Sequence, residues 1–326
     1  MRVLGMVLLG LLWALPSWAF LTDKNVRPMP ASPPSLPAAG SKATDPTFGT
    51  TIMRVTDSGD SSSDCINHYS NEPALNVNNT KIRAICKVRV SYQFKVWDFN
   101  AATLTRSNGR IQSNRPPGLQ GYGAQWSRTT SNKFYAVGLK VLYEITIPTG
   151  SSTTFTNKVV RDFGANFTGS YITQMSVSDN DDVFAFHYVN GGVSAGYIAY
   201  KRSTNTILRN VSNEGTINEV EVDKTGRYLT ALKNSGDMDV WDLQAGPTST
   251  QVTPTLFFNH RAMGNGTVAG SCNVRRQCVR NLATPNSVNF LLPADSWSYS
   301  TQQDHVSMIG PEAWLTLSKM VLVLRL

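Results

Sequence analysis

The chain has 326 residues, 30 basic and 22 acidic side chains, and a formal net charge of +8. Charged residues make up 16% of it, hydrophobic residues 41% and aromatic residues 10%. These values exclude a coiled coil, a collagen and a wholly disordered chain. The polar surface must come largely from Ser, Thr, Asn and Gly, which favours an all-β extracellular protein over a helical one.

The N-terminus carries the pattern of a secretory signal. Met1-Arg2 is followed by an apolar run from Val3 to Leu15, and small residues stand at Ser17 and Ala19. A run of this length is shorter than the roughly 20 residues that span a bilayer. The sequence predicts a signal peptide over residues 1–19, with a buried helix as the alternative, and no membrane span later on. The protein is expected outside the cell, or in the periplasm if the host is bacterial.

Residues 20–47 are predicted to be a linker. Six of the 16 prolines fall in this stretch, interleaved with Ala, Ser and Gly, and such a composition favours an extended, semi-rigid conformation. From residue 48 onward, short runs of β-branched and aromatic residues alternate with polar turns. Residues 48–326 are therefore predicted to form one all-β domain.

The four cysteines fit an oxidising compartment. Local pairing, Cys65 with Cys86 and Cys272 with Cys278, is the simplest of three connectivities. Zinc is the alternative, but the sequence has no Cys-x-x-Cys and no His at ligand spacing beside a Cys. Four sequons begin at Asn78, Asn166, Asn210 and Asn265. They would make a glycoprotein only if the host glycosylates.

Six windows share one pattern: an alternating strand, a polar turn and a second strand. Their turns end near Lys81, Lys133, Asp182, Arg227, Thr267 and Glu312, at spacings of 40 to 52 residues. A period near 45 residues is the length of one four-stranded propeller blade. The sequence therefore predicts a β-propeller of six or seven four-stranded blades. A β-sandwich built from similar hairpins is the alternative.

A second repeated feature lies downstream of these turns. Val96-Trp97-Asp98-Phe99 and Val240-Trp241-Asp242-Leu243 each place a Trp-Asp pair at a strand end. With these pairs the sequence resembles the WD40-like and related secreted β-propellers over about residues 48–318. It departs from WD40 proper, since no Gly-His dipeptide opens a blade. The resemblance implies the fold and says almost nothing about activity.

The C-terminal segment does not complete a blade. After Glu312 the sequence continues to Leu326 without a fourth strand. It either closes the ring as an irregular strand or stops short, so the last blade is predicted to be incomplete. An unclosed ring would leave sheet edges exposed.

The repeat alignment also predicts a binding site. Propellers bind ligands in the funnel where their innermost strands begin. Eight positions before each turn end, polar residues recur, and the next position is mostly apolar, as on the packed face of a strand. The predicted ligand-binding residues are Gln125, Gln174, Glu219, Asn259 and Asp304. The alternative is that these side chains only satisfy neighbouring backbone groups and channel water.

Two histidines allow a metal hypothesis. His260 and His305 share a repeat position, and together with Gln125 and Gln174 they resemble the metal site of propeller-type oligogalacturonate lyases. A metal needs three or more such groups within about 2.0–2.3 Å of one point, and a lone His at a strand start is more often structural.

The sequence thus predicts a monomer without a cofactor that binds an extracellular ligand, polysaccharide or protein, without catalysis. A metal-assisted polysaccharide lyase or hydrolase, in which a divalent cation neutralises the substrate carboxylate, is the alternative. No residue can be named as its base. Nucleic acid is not expected, because basic residues cluster only at Arg275, Arg276 and Arg280.

Overall fold

The computed structural model describes residues 35–45, 49–60, 65–67, 72–88, 91–119, 123–214, 217–246, 258–272, 276–290, 314–317 and 320–325. In the strands at 258–260, 271–272, 276–277, 314–317 and 320–325, and at 88, 91, 288 and 290, only the backbone is described. The chain forms two compact units, Met1–Val55 and Thr56–Leu326. The predicted signal peptide lies outside the described residues.

The first unit contains one short hairpin. Strand β1 (Lys42–Thr44) pairs antiparallel with β2 (Thr51–Met53), with Lys42 opposite Met53. The turn is closed by hydrogen bonds between Asp45 and the backbone at Gly49 and Thr50. The predicted linker, residues 20–47, therefore includes a strand near its end.

The second unit is a series of antiparallel sheets that follow one another along the chain. Each sheet is a meander, in which every strand pairs with its sequence neighbour. Sheet 1 holds β3 (Cys65–Ile66), β4 (Lys81–Val88), β5 (Ser91–Asn100) and β6 (Thr105–Ile111). Sheet 2 holds β7 (Gln125–Trp126), β8 (Lys133–Gly138), β9 (Val141–Thr146) and β10 (Thr156–Asp162). Sheet 3 holds β11 (Tyr171–Val177), β12 (Val183–Asn190), β13 (Val193–Lys201) and β14 (Thr206–Ser212).

The later sheets continue this order. Sheet 4 holds β15 (Ile217–Val222), β16 (Tyr228–Lys233) and β17 (Met238–Asp242), followed by a 3-10 turn at Leu243–Ala245. Sheet 5 holds β18 (Phe258–Met263), β19 (Thr267–Cys272), β20 (Arg276–Asn281) and β21 (Val288–Phe290). Sheet 6 holds β22 (Trp314–Leu317) and β23 (Met320–Arg325).

Turn chemistry explains where the first hairpin of each sheet reverses. Asn79, Asp181, Gly226 and Gly266 stand just before the second strands of sheets 1, 3, 4 and 5, and all four have positive φ. Asn, Asp and Gly are the residues that tolerate this conformation. The turns predicted from the repeat pattern are therefore in place in these sheets.

The aspartate of each Trp-Asp pair forms an ion pair across two neighbouring strands. In sheet 1, Lys81 Nζ lies 2.7 Å from Asp98 Oδ1, and in sheet 4, Arg227 Nη2 lies 2.7 Å from Asp242 Oδ2. The equivalent pair in sheet 2 is Lys133 with Glu144, at 2.8 Å. Sheet 3 has the charges exchanged, with Asp182 lying 4.0 Å from Lys201. The Asp of each Trp-Asp pair thus has a structural partner at the turn end.

The hydrophobic core lies between successive sheets. On β12, Phe184 and Phe186 pack with residues of sheet 2, while Ala185 on the opposite face packs with residues of sheet 4. Similar clusters join sheet 1 to sheet 2 and sheet 4 to sheet 5. Five sheets packed face to face in chain order differ from the two layers of a sandwich. This is the arrangement of β-propeller blades, so the predicted WD40-like propeller resemblance is confirmed.

One predicted disulfide is formed. Cys65 and Cys86 are bonded and lie opposite each other in the pairing of β3 with β4. Cys278 on β20 is also disulfide-bonded, while the side chain of Cys272, its predicted partner, is not described.

Candidate functional site

The first turns of neighbouring sheets are hydrogen-bonded to one another at one end of the second unit. Asn76 Nδ2 donates to the Ser131 carbonyl at 2.6 Å, which joins sheet 1 to sheet 2. The buried Asp181 accepts from Ser127 Oγ at 2.5 Å, which joins sheet 2 to sheet 3. The Lys224 carbonyl accepts from the Asp179 amide, which links sheets 3 and 4. These links hold the first strands of the sheets side by side.

The link from sheet 4 to sheet 5 follows the same principle. Asp223 Oδ2 accepts from the Gly266 amide at 2.9 Å, and the Gly264 carbonyl accepts from the Lys224 amide. Within its own turn, Asp223 also caps the amides of Arg227 and Tyr228. One carboxylate thus closes a hairpin and attaches the next one. Hydrogen bonds between turns therefore hold together the first strands, which carry the predicted site residues.

Gln125 is buried between sheets. Its side chain is 2% exposed, and Nε2 donates to the Met175 carbonyl of sheet 3 at 3.1 Å. Its Oε1 accepts from Arg128 Nη2 at 3.4 Å. Gln125 thus satisfies a backbone carbonyl on the first strand of the next sheet. This is the role that the alternative to ligand binding gave to the polar residues of the first strands.

Gln174 sits at a β-bulge with an unusual backbone. Its φ is +49°, which is uncommon for a residue other than Gly, and the register of β11 shifts between Thr173 and Ser176. A Cβ at Gly123 would lie 2.8 Å from the Met175 amide and 2.9 Å from the Gln174 amide. Only Gly allows this approach, so the segment before β7 lies directly against the bulge. The structure therefore brings Gln174 close to the segment that carries Gln125.

His187 holds the side chain of Gln174. His187 lies on β12 opposite Thr173, and its Nδ1 is 3.1 Å from Gln174 Oε1. The imidazole is 7% exposed, and its Nε2 makes no hydrogen bond to a described residue. Burial lowers the pKa of His187 to about 4, so the ring is neutral near pH 7. Nδ1 is then the donor, and the Gln174 amide nitrogen points away from the histidine.

This histidine makes stability depend on pH. The pKa of His187 is depressed in the folded protein, so below about pH 6.5 the unfolded chain binds a proton that the folded chain does not. Stability is lost as the pH falls from about 6.5 towards 4, by about 2 kcal/mol at pH 5. Urea unfolding of the wild type and of His187→Gln at pH 7 and about pH 5 checks this. The variant should lose that much less on acidification. Equal losses would contradict the prediction.

Glu219 is part of a buried ion-pair cluster. Arg261 of β18 donates to the Glu219 carbonyl at 3.0 Å, and its Nη1 lies 3.6 Å from Glu219 Oε2. Its Nε lies 3.1 Å from Glu221 Oε2. All three side chains are buried. Glu219 thus contacts sheet 5, and the predicted ligand residue has a partner inside the protein.

A second buried arginine has the same role between sheets 1 and 2. Arg83 Nη2 donates to the Ala124 carbonyl at 2.7 Å and lies 3.7 Å from Glu72 Oε2. Burial lowers the pKa of Arg83 to about 10, while Glu72 opposes this shift. The guanidinium is therefore charged at neutral pH. An Arg inside an otherwise apolar strand, as in Ile82-Arg83-Ala84, was the sequence signal that could have found it.

The remaining predicted residues are only partly described. Asn259 and His260 lie on β18, where the register shifts between Asn259 and Arg261. Register shifts also occur near the aligned positions of β11, between Thr173 and Ser176, and of β15, between Ile217 and Glu219. Asp304 and His305 lie outside the described residues.

Among the side chains that the structure describes, no group of three or more His, Cys, Asp and Glu residues could hold a metal ion. The side chains of His260 and His305 are not among them, so the metal hypothesis stays a prediction. In the same part of the chain, no helix has the length and apolar character needed to cross a membrane.

Comparison with known proteins gives only distant likenesses. No family model matches the sequence, and no curated protein matches it. The β-propeller domain of Cps50 (Swd1) from Myceliophteria thermophila is 12% identical, with a TM-score of 0.47 over 83% of each chain. TolB from Acinetobacter baumannii is 13% identical, with a TM-score of 0.42 over 74% of this chain and 61% of TolB. At these values the likenesses identify neither a ligand nor an activity.

Proposed function

We propose that this chain is a non-catalytic propeller of the extracellular space or periplasm that binds a polar ligand, polysaccharide above all, where its first strands meet. The Cys65–Cys86 bond supports an oxidising compartment. Six or seven blades would complete the ring, with β22 and β23 in the last one. The exposed sequon residues Asn78, Asn210 and Asn265 are the glycosylation sites in this proposal.

Gln174 carries the proposal. Of the three predicted ligand residues with described side chains, it alone is partly exposed, while Gln125 and Glu219 are buried. Its left-handed backbone costs on the order of 1 kcal/mol, and its Oε1 is held by His187. Nε2 donates to no described residue, so two N–H groups are available to a ligand hydroxyl. A strained, oriented amide is typical of a binding position.

In the proposal, the other predicted residues either hold the first strands around Gln174 or add further contacts to the ligand. Gln125 and Glu219 hold the first strands together through Met175 and Arg261, and Gln174 makes the ligand contact. Asn259 and Asp304 are proposed as further contacts from sheet 5 and from the segment after it. The partner would be a chain of neutral or acidic sugars, or a protein that presents similar hydroxyl and carbonyl groups.

Gln174→Gly separates binding from folding. Glycine adopts the +49° φ without strain, but it leaves the Nδ1 of the buried His187 without its partner, so the variant should lose about 1–2 kcal/mol and remain folded. It should bind polysaccharide at least about tenfold more weakly, because the amide is lost. A glycan array and calorimetric titration of its strongest hit measure the affinity, and thermal unfolding measures stability.

The control is Gln244→Ala, which removes an exposed amide on the 3-10 turn and should leave binding unchanged. If no array glycan binds the wild type, the polysaccharide proposal is wrong. The same holds if Gln174→Gly binds as tightly as Gln244→Ala does.

A further inference from the structure

A groove of about 320 Å³ lies between the outer strands of sheets 2 and 3. Its walls are β9 and β10 on one side and, on the other, the end of β13 with the turn that follows it. Glu144, Lys158, Tyr200, Arg202 and Asn205 line it. None of these residues belongs to the first-strand site.

Two arginines are fixed in orientation at this groove, Arg161 by neutral groups and Arg202 by the Tyr135 hydroxyl and the Glu144 carboxylate. Arg161 donates through Nη1 to the carbonyl and the side chain of Asn205, at 2.8 and 2.6 Å, and its guanidinium lies 5.3 Å from the centre of the Tyr200 ring. Arg202 donates to the Tyr135 hydroxyl at 2.7 Å. Asn205, at φ +51°, also accepts from the Tyr200 hydroxyl. The guanidinium groups are thus oriented in advance, which lowers the entropy cost of binding.

Positive charge exceeds negative charge around the groove. Besides the two arginines it has Lys158 in its lining, while Lys133 and Lys201 stand nearby, each beside a carboxylate. The nearby carboxylates are Glu144, which pairs with Lys133 and Arg202, and Asp182, which accepts from Ser203 and lies near Lys201. Lys158 is exposed and makes no ion pair with a described residue. In the lining, Lys158 and Arg202 outnumber the single carboxylate of Glu144, and Arg161 adds a third cation beside them, which favours an anionic ligand.

The shape and apolar rim favour a chain of sugars over a small ion. The groove is open to solvent, and the partly exposed Val160 lines it on the same strand as Lys158. An apolar side chain beside a cation can contact the C–H face of a pyranose while the cation meets its acid group. Planar guanidinium groups match carboxylate and sulfate oxygens in pairs.

We propose that this groove binds the carboxylate or sulfate groups of an acidic polysaccharide. The proposal deepens the proposed function by naming the charge of the ligand, and it rests on the same extracellular location. It uses a separate site, so the two proposals can fail separately.

The test compares one neutral polymer with two charged ones. Wild-type protein is titrated with dextran, dextran sulfate and polygalacturonate at low and high salt. We expect the protein to bind one or both polyanions, with an affinity that falls as the salt concentration rises. The groove should not bind dextran, which carries no charge. Lys158→Glu should weaken polyanion binding about tenfold, whereas Lys42→Glu, an equal charge change on an exposed strand of the first unit, should change it less than about twofold.

Arg202→Lys adds a test of geometry. It keeps the charge but loses the planar fork, so affinity should fall although net charge does not change. Gln174→Gly should retain groove binding, which separates failure of this proposal from failure of the first-strand site. Three results overturn the proposal: no polyanion binding, equal losses in Lys158→Glu and Lys42→Glu, or equally tight binding of inorganic sulfate or single-stranded DNA.

Discussion

Arg261→Met should destabilise the protein by about 3–5 kcal/mol, since removing one partner leaves buried opposite charges uncompensated. Arg261 lies between Glu219 and Glu221 and donates to the backbone of sheet 4. All three side chains are buried, so water cannot easily replace the guanidinium. Urea unfolding followed by tryptophan fluorescence measures the loss.

Two controls define the origin of this effect. Arg227→Met breaks the largely exposed ion pair with Asp242, and it should cost far less than Arg261→Met because solvent screens an exposed pair. Combining Arg261→Met with Glu219→Gln and Glu221→Gln should recover part of the stability, because the buried charges are then gone. A loss below about 1 kcal/mol in Arg261→Met itself would show that the cluster does not join sheets 4 and 5 as described.

Phe184→Ala should cost about 3–5 kcal/mol, the range for truncating a fully buried aromatic side chain. Phe184 is 0% exposed, and its ring lies edge-on to Tyr135 of sheet 2 at 4.9 Å and parallel to Phe186 at 6.3 Å. Its removal leaves a cavity between two sheets that can close only if both move. Thermal and urea unfolding measure the change.

Phe184→Leu keeps most of the volume and should cost less than half as much. Val193→Ala, on an exposed residue of sheet 3, should stay within about 0.5 kcal/mol of the wild type. If Phe184→Ala is as mild as Val193→Ala, the core between sheets 2 and 3 is not packed as the structure has it.

Both predictions come from contacts between sheets, which a sequence reveals least. The hairpins were predictable because their signals are local. Asn79 and Gly226 supply the positive φ of their turns, and the alternation of the strands needs only neighbouring residues. The repeat spacing then predicted successive meanders. The Trp-Asp pairs were recognised, but their partners Lys81 and Arg227 became evident only in the folded sheets.

The sequence predicted which residues lie on the first strands, but it did not predict the direction in which their side chains point. Gln125, Gln174 and Glu219 were found by alignment, and the structure places all three on first strands of separate sheets. Alternation cannot distinguish a side chain that faces an axis from one that faces the next sheet, because a propeller blade packs on both faces. Gln125 and Glu219 contact neighbouring sheets, and Gln174 is partly exposed because of a bulge.

The sequence by itself therefore determined the all-β class and the order of hairpins, since each depends on residues close together along the chain, and it favoured the Cys65–Cys86 pairing that the structure confirms. Only the tertiary structure decided the roles of Arg83, His187 and Arg261. These three residues act through partners that are distant in sequence or on adjacent strands. Burial gives those contacts their strength, because a buried charge or amide must find its partner within the protein.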